Sequence, residues 1–172
     1  MMRFSVFLAL ALCLAAGAQA QTMADIDARE AAVLEAWNAT PLAVRRALFV
    51  AQHPDGFGQY EARPNNVFKP GEKLVAYAEP VGYAWKDVGD GQYEFGLVVD
   101  FLVKTPSGEV LTGKEEFARL VERSHARNRE FMVVLTLNVS GAPPGDYVLQ
   151  YTLRDVNGPK RVSFDLPFKI AK

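Results

Sequence analysis

Cysteine is nearly absent from this chain: Cys13 is the single one, and it lies inside an apolar run close to the N-terminus. Beyond that run no disulfide can form, and neither a thiolate zinc cluster nor a cysteine nucleophile can be assembled. Histidine is almost as scarce. His53 precedes a proline turn and His125 sits in a charged stretch, so no familiar metal site is expected, and no cofactor. An excess of charge is missing too. The 19 Lys+Arg face 20 Asp+Glu, a formal net charge of −1, so there is no basic surplus to release counterions from phosphates, and nucleic acid is not an expected partner. Long hydrophobic runs are missing as well: the longest, Phe4 to Ala16, falls short of the roughly 20 apolar residues a spanning helix needs.

What the N-terminus does contain is Met1-Met2-Arg3, that short apolar run, and Ala18-Gln19-Ala20 before Gln21. A cationic start, an apolar core and small residues in an A-x-A arrangement together make a secretory signal peptide, with cleavage expected after Ala20. Leu12 directly precedes Cys13 and the apolar run continues past it, which argues against a lipid-attachment cysteine. The expectation is a periplasmic or secreted protein with no stable membrane span once residues 1–20 are removed. The remaining chain, about 150 residues, has the size of one domain able to fold without disulfides.

Alternation with a period of two dominates the rest. Phe131, Val133, Leu135, Leu137 and Val139 share one face of a segment; Tyr147, Leu149, Tyr151 and Leu153 share one face of the next; Val162, Phe164, Leu166, Phe168 and Ile170 do so in the last. Tyr93, Phe95, Leu97, Val99, Phe101 and Val103 make a fourth and longer run. Strand side chains point alternately to opposite faces, so each segment reads as a strand with one buried face. Leu74, Ala76 and Ala78 mark another, closed by Pro80. Gly141-Ala-Pro-Pro-Gly145, Asn157-Gly158, Thr105-Pro-Ser-Gly108 and Asp87-Val-Gly-Asp-Gly91 supply turn chemistry between them. Glu109 to Val121 reads as a strand, and Glu122 to Glu130 as a charged loop.

Ahead of the strands, Thr22 and Asp25 stand three apart before a segment rich in Ala, Glu and Leu, a capping-box pattern with Asp in the acidic position. A helix is predicted from Met23 to Asn38, with Trp37 as a packing residue. Residues 42–51 are compatible with helix or strand; the shared face of Val44, Leu48 and Val50 favours strand. A short edge strand is read from Gly58 to Arg63. About eight strands at spacings of roughly 8–14 residues, with no βαβ rhythm, indicate a mostly β chain forming an antiparallel sandwich or barrel behind an N-terminal α-helix.

Phe68-Lys-Pro-Gly-Glu72 before one strand, and Pro144-Gly-Asp-Tyr147 before a penultimate strand closing with Asp155 and a glycine turn, resemble the immunoglobulin-like or fibronectin-type-III-like modules of exported bacterial proteins. The resemblance implies an antiparallel Ig-like β-sandwich over residues 42–172, preceded by a helical arm at 21–41. Such modules are mostly binding or spacer units, and the resemblance carries over no catalytic residue.

Two surface features could bind a partner. Tyr60, Tyr77, Glu79, Tyr83, Trp85 and Tyr93 fall in neighbouring edge-like segments, and Tyr and Trp give large contact area with a polar tip. Arg119, Arg123, Arg127 and Arg129 cluster around His125, and guanidinium groups suit carboxylate or phosphate. Each has a plainer reading: the tyrosines as core, the arginines as a solvated loop balanced by Glu115, Glu116, Glu122 and Glu130. No G-x-S-x-G elbow is present, and adjacent Ser124 and His125 do not make a triad. The expectation is therefore a non-catalytic binding or accessory module of the bacterial envelope, recognising a protein or peptide, or a glycan. The alternatives are an envelope enzyme using carboxylates such as Glu61, Glu79 and Asp100, or a protease inhibitor presenting the loop from Val139 to Gly145.

Overall fold

The computed structural model describes residues 21–172; the predicted signal peptide, with Cys13, lies outside the described residues. The chain is mostly β, with one helix and two sheets among the described residues. Helix α1 (Met23–Ala39) starts at the predicted capping box: the Asp25 amide donates to Thr22 Oγ1, and the Thr22 amide donates to Asp25 Oδ2 at 2.8 Å. None of the described helices is long and apolar enough to cross a membrane.

Nine strands follow. The smaller sheet has the order β1 (Ala43–Phe49), β3 (Lys73–Val81), β7 (Val133–Asn138), all antiparallel. The larger runs β2 (Val67–Phe68), β9 (Arg161–Ile170), β8 (Gly145–Asp155), β5 (Gln92–Lys104), and on the latter both β4 (Lys86–Gly89) and β6 (Val110–Ser124) pair. The inward faces are the ones the alternation marked. Leu97, Val99, Leu149, Tyr151, Leu153, Leu74 and Val133 are completely buried, and both sheets contribute to one continuous apolar cluster. A fully buried Leu of this kind stabilises by roughly 1.5–3 kcal/mol.

Several sequence expectations are corrected. Among the described residues there are nine strands rather than about eight, and β2 pairs parallel to β9. Within residues 42–51, where the shared face favours strand over helix, Ala43–Phe49 form strand β1, as expected. The edge strand expected over Gly58 to Arg63 is reduced to isolated bridges, Val50 with Ala62 and Gly56 with Gln59. The loop expected from Asp87 to Gly91 is mostly strand β4, with the turn confined to Asp90-Gly91. Strand β6 runs on through Ser124, into the stretch read as loop.

Pro80 does not close its strand either. Val50 N donates to Val75 O, so the odd-numbered residues of β3 turn their backbone groups to β1 and Pro80 turns its nitrogen to the other side. There β7 has already ended, at the Ala78–Val133 pair, so proline's missing donor costs no ladder bond. Glu115 and Glu116 do not simply alternate: residues 115–117 bulge out against Asp100 alone, with Glu116 at φ 47°.

Candidate functional site

The C-terminal end of α1 is where the arm meets the body of the protein. Among the described residues of α1, Trp37 is the buried one. Its indole N–H donates to Tyr83 O at 2.8 Å, its ring stacks on Trp85 at 5.3 Å between centroids, and it meets Tyr83 edge-on at 5.1 Å. Lys160 completes the joint, its ammonium donating to the carbonyls of Asn38, Thr40 and Gly82 at 2.8–3.1 Å. Asn38 and Thr40 belong to the orphan acceptors and the negative dipole end that a helix C-terminus presents, and a cation satisfies both, while Gly82 ties the same ammonium to the end of β3. Toward its N-terminus the helix stands in solvent, with Met23 71%, Ile26 45% and Val33 42% exposed.

The same aromatic group fixes the segment after β6. Asn128 O accepts two hydrogen bonds, from Tyr83 Oη at 2.8 Å and from Trp85 Nε1 at 3.0 Å. Burial, with the charge of Glu122 adding to it, pushes the Tyr83 pKa well above the ordinary tyrosine value, so its hydroxyl remains a donor. With its backbone pinned at Asn128, the loop presents Arg127 and Arg129 on either side. Arg127 lies over the ring of Tyr93, 4.6 Å from the centroid, a cation–π contact.

Between α1 and this loop lies an open cleft of about 580 Å³. Val33, Trp37 and Phe57 give it an apolar side; Arg45, Arg127 and Arg129 converge on it, with Glu130 as its carboxylate. A second hollow of about 340 Å³ is lined by Glu30, Leu34 and Tyr93 and shares Arg127 and Arg129. Arg45 reaches the cleft from a bulge. β1 pairs Val44 with Pro80 and Arg46 with Glu79, leaving Arg45 as the extra residue, and bulges of this kind re-aim a side chain.

The six residues of the expected aromatic platform do not form one surface. Tyr60 and Tyr77 pack together at 4.5 Å, away from the inter-sheet core. Tyr77 is fully buried there, accepting from Gly58 N and donating to the buried Glu79 at 3.0 Å, while Arg46 donates to Tyr60 Oη. That network holds the loop after β1 against the small sheet. Tyr83 is fully buried in the core, so Tyr77, Glu79 and Tyr83 offer no contact surface. Trp85 and Tyr93 are half-buried.

The arginine cluster splits in the same way. Arg123 is neutralised by Glu94 at 2.9 Å, and Arg119 stands further along β6, opposite Val98. Arg127 and Arg129 alone reach the cleft. Neither they nor Arg45 forms a salt bridge among the described residues. Of the carboxylates considered for acid–base work, Asp100 is held by Arg154 and Glu79 by Tyr77, on different sheets, while Glu61 is exposed. Sequence reasoning missed Arg45, Phe57 and Asn128. Arg45 depends on a bulge and Asn128 acts through its carbonyl, which every residue has.

No protein-family model matches the sequence, and no curated protein matches it significantly.

Proposed function

We propose that the chain is an exported, non-catalytic binding or accessory module of the bacterial envelope, and that it recognises a protein or peptide in the cleft between α1 and the Asn128 loop. In this reading the two sheets face each other as an Ig-like β-sandwich, and α1 is an arm attached at one end of it. The observation that carries the proposal is the cleft itself. It combines apolar side chains with three arginines that form no salt bridge among the described residues, on a backbone fixed by two aromatic hydrogen bonds. Ligand pockets of roughly 300–1,000 Å³ combine an apolar wall with a few convergent polar groups in this way, and a space of that size accommodates a few side chains of a peptide.

The test is capture from an envelope extract by the mature chain, beside two double variants. Arg127→Ala with Arg129→Ala is expected to lose the partner; Arg119→Ala with Arg123→Ala is expected to keep it. Equal capture by both would overturn the assignment to this cleft.

A further inference from the structure

We infer that the occupant of the cleft is an acidic peptide segment, one that brings two or more carboxylates together with an apolar side chain; this rests on the binding reading above. Elsewhere Arg63 meets Glu72 at 2.7 Å, Arg123 meets Glu94 at 2.9 Å and Arg154 meets Asp100 at 2.9 Å, while Arg29, Arg119 and Arg161 form no salt bridge among the described residues. What sets the cleft apart is convergence: Arg45, Arg127 and Arg129 line it together with one carboxylate, Glu130, and Glu30 lines only the neighbouring hollow. Like charges gathered without partners repel, and the arrangement is relieved by a ligand of opposite sign.

The kind of anion follows from the rest of the wall. Guanidinium forks match carboxylates two bonds at a time. The wall beside them is apolar, formed by Val33, Trp37 and Phe57, and a small inorganic anion would leave that surface wet. A sugar ring calls for a broad open aromatic face, but of the two aromatic rings at the cleft Trp37 is 9% exposed and already stacks on Trp85, which leaves only the half-buried Phe57. A nucleic acid requires a basic surface larger than this one, on a chain whose net charge is −1. A peptide with Asp or Glu flanking Leu or Phe satisfies the arginines and the apolar wall together. Glu130 at the cleft adds an acceptor for a peptide amide and repels a basic sequence.

The test is fluorescence anisotropy with a labelled peptide alternating Glu and Leu, its Gln-for-Glu counterpart, and the mature chain with and without Arg45→Gln, Arg127→Gln and Arg129→Gln. The acidic peptide is expected to bind at least about tenfold more tightly than the amide form. That difference is expected to vanish in the triple variant and to shrink as salt rises from about 50 to 500 mM. Unchanged thermal unfolding of the triple variant shows that it folds, and an Arg→Lys version, which keeps charge but loses the fork, is expected to fall between the two. Equal binding of both peptides would overturn the acidic preference and leave the binding reading standing. If neither peptide binds, this inference falls, and the binding reading falls with it where the captured partner also survives the triple variant. Concentration-dependent self-association of the free chain, abolished by the triple variant, would assign the cleft to the acidic α1 of a second copy and overturn the peptide reading.

Discussion

The indole N–H of Trp37 donates to the carbonyl of Tyr83 across 46 positions of sequence, at 2.8 Å. That bond, the stack on Trp85 and the three carbonyls held by Lys160 are what join α1 to the sheets. Because both walls of the cleft depend on this joint, the position of α1 sets the shape of the site. Most of a helix's stability in a protein comes from tertiary packing, and with Trp37 as the buried residue of α1 that packing is concentrated at its anchor.

Trp37→Ala removes a large buried ring and leaves Tyr83 O without its donor. The expected cost is about 3–5 kcal/mol, as for other buried Trp truncations. Hydrogen exchange distinguishes an anchor from a general core residue. Amides of α1 are expected to lose protection at much lower denaturant than those of β5 and β8. Loss of protection across all elements together would contradict the anchoring role.

The pattern of period two made the strands legible because each has one face in a shared core, and the capping box made the start of α1 legible because Thr22 and Asp25 interact locally. What stayed hidden depends on distant pairing. Nothing around Arg45 announces that β1 slips against β3 there, and nothing around Glu116 announces that three residues will face Asp100. Tyr77 lies on the face of β3 opposite Leu74, Ala76 and Ala78, yet it is buried under the loop after β1; Tyr93 continues the core alternation of β5, yet it is covered by Arg127. Alternation tells which residues share a face, not what covers it.

Tyr151 gives a prediction of opposite sign. Its ring is completely buried beside Phe164, and its hydroxyl finds no hydrogen-bond partner among the described residues. A buried hydroxyl left unsatisfied costs on the order of 1–3 kcal/mol. Tyr151→Phe keeps the ring and removes the orphan group, so it is expected to raise stability by about 1 kcal/mol in urea unfolding, with an unchanged m-value. A loss of stability would mean that the hydroxyl has a partner.

Gly82 sits where α1 hands over to the sheets, at φ +81°, and a Cβ there would lie 2.5 Å from Pro41 O. Gly108 has a comparable φ of +94° but open space around it. Changing Gly108 to Ala carries the left-handed backbone penalty alone, about 1–2 kcal/mol. Gly82→Ala adds a collision with main chain and is expected to cost distinctly more. Equal losses in parallel denaturant melts would show that Pro41 can move aside.

The acid limit of stability is set in part by Asp100 on the outer face of the large sheet. Burial alone would raise its pKa, but the hydrogen bonds from Arg154 and from the Glu116 amide, with the Arg154 charge, bring it below the ordinary carboxylate value. Glu72 is lowered as well, chiefly by the Lys69 amide and also by Arg63. A carboxyl with a depressed folded pKa stabilises above its unfolded value, near 4, and that contribution is lost as pH falls through the folded value. Unfolding free energy is therefore expected to be flat near neutrality with respect to these groups and to drop below about pH 4. In Asp100→Asn the Arg154 fork loses its charged partner, so stability near pH 7 is expected to fall and the acid slope to become shallower. An unchanged slope in the variant would show that Arg154 and Asp100 are no closer coupled in the folded chain than in the unfolded one.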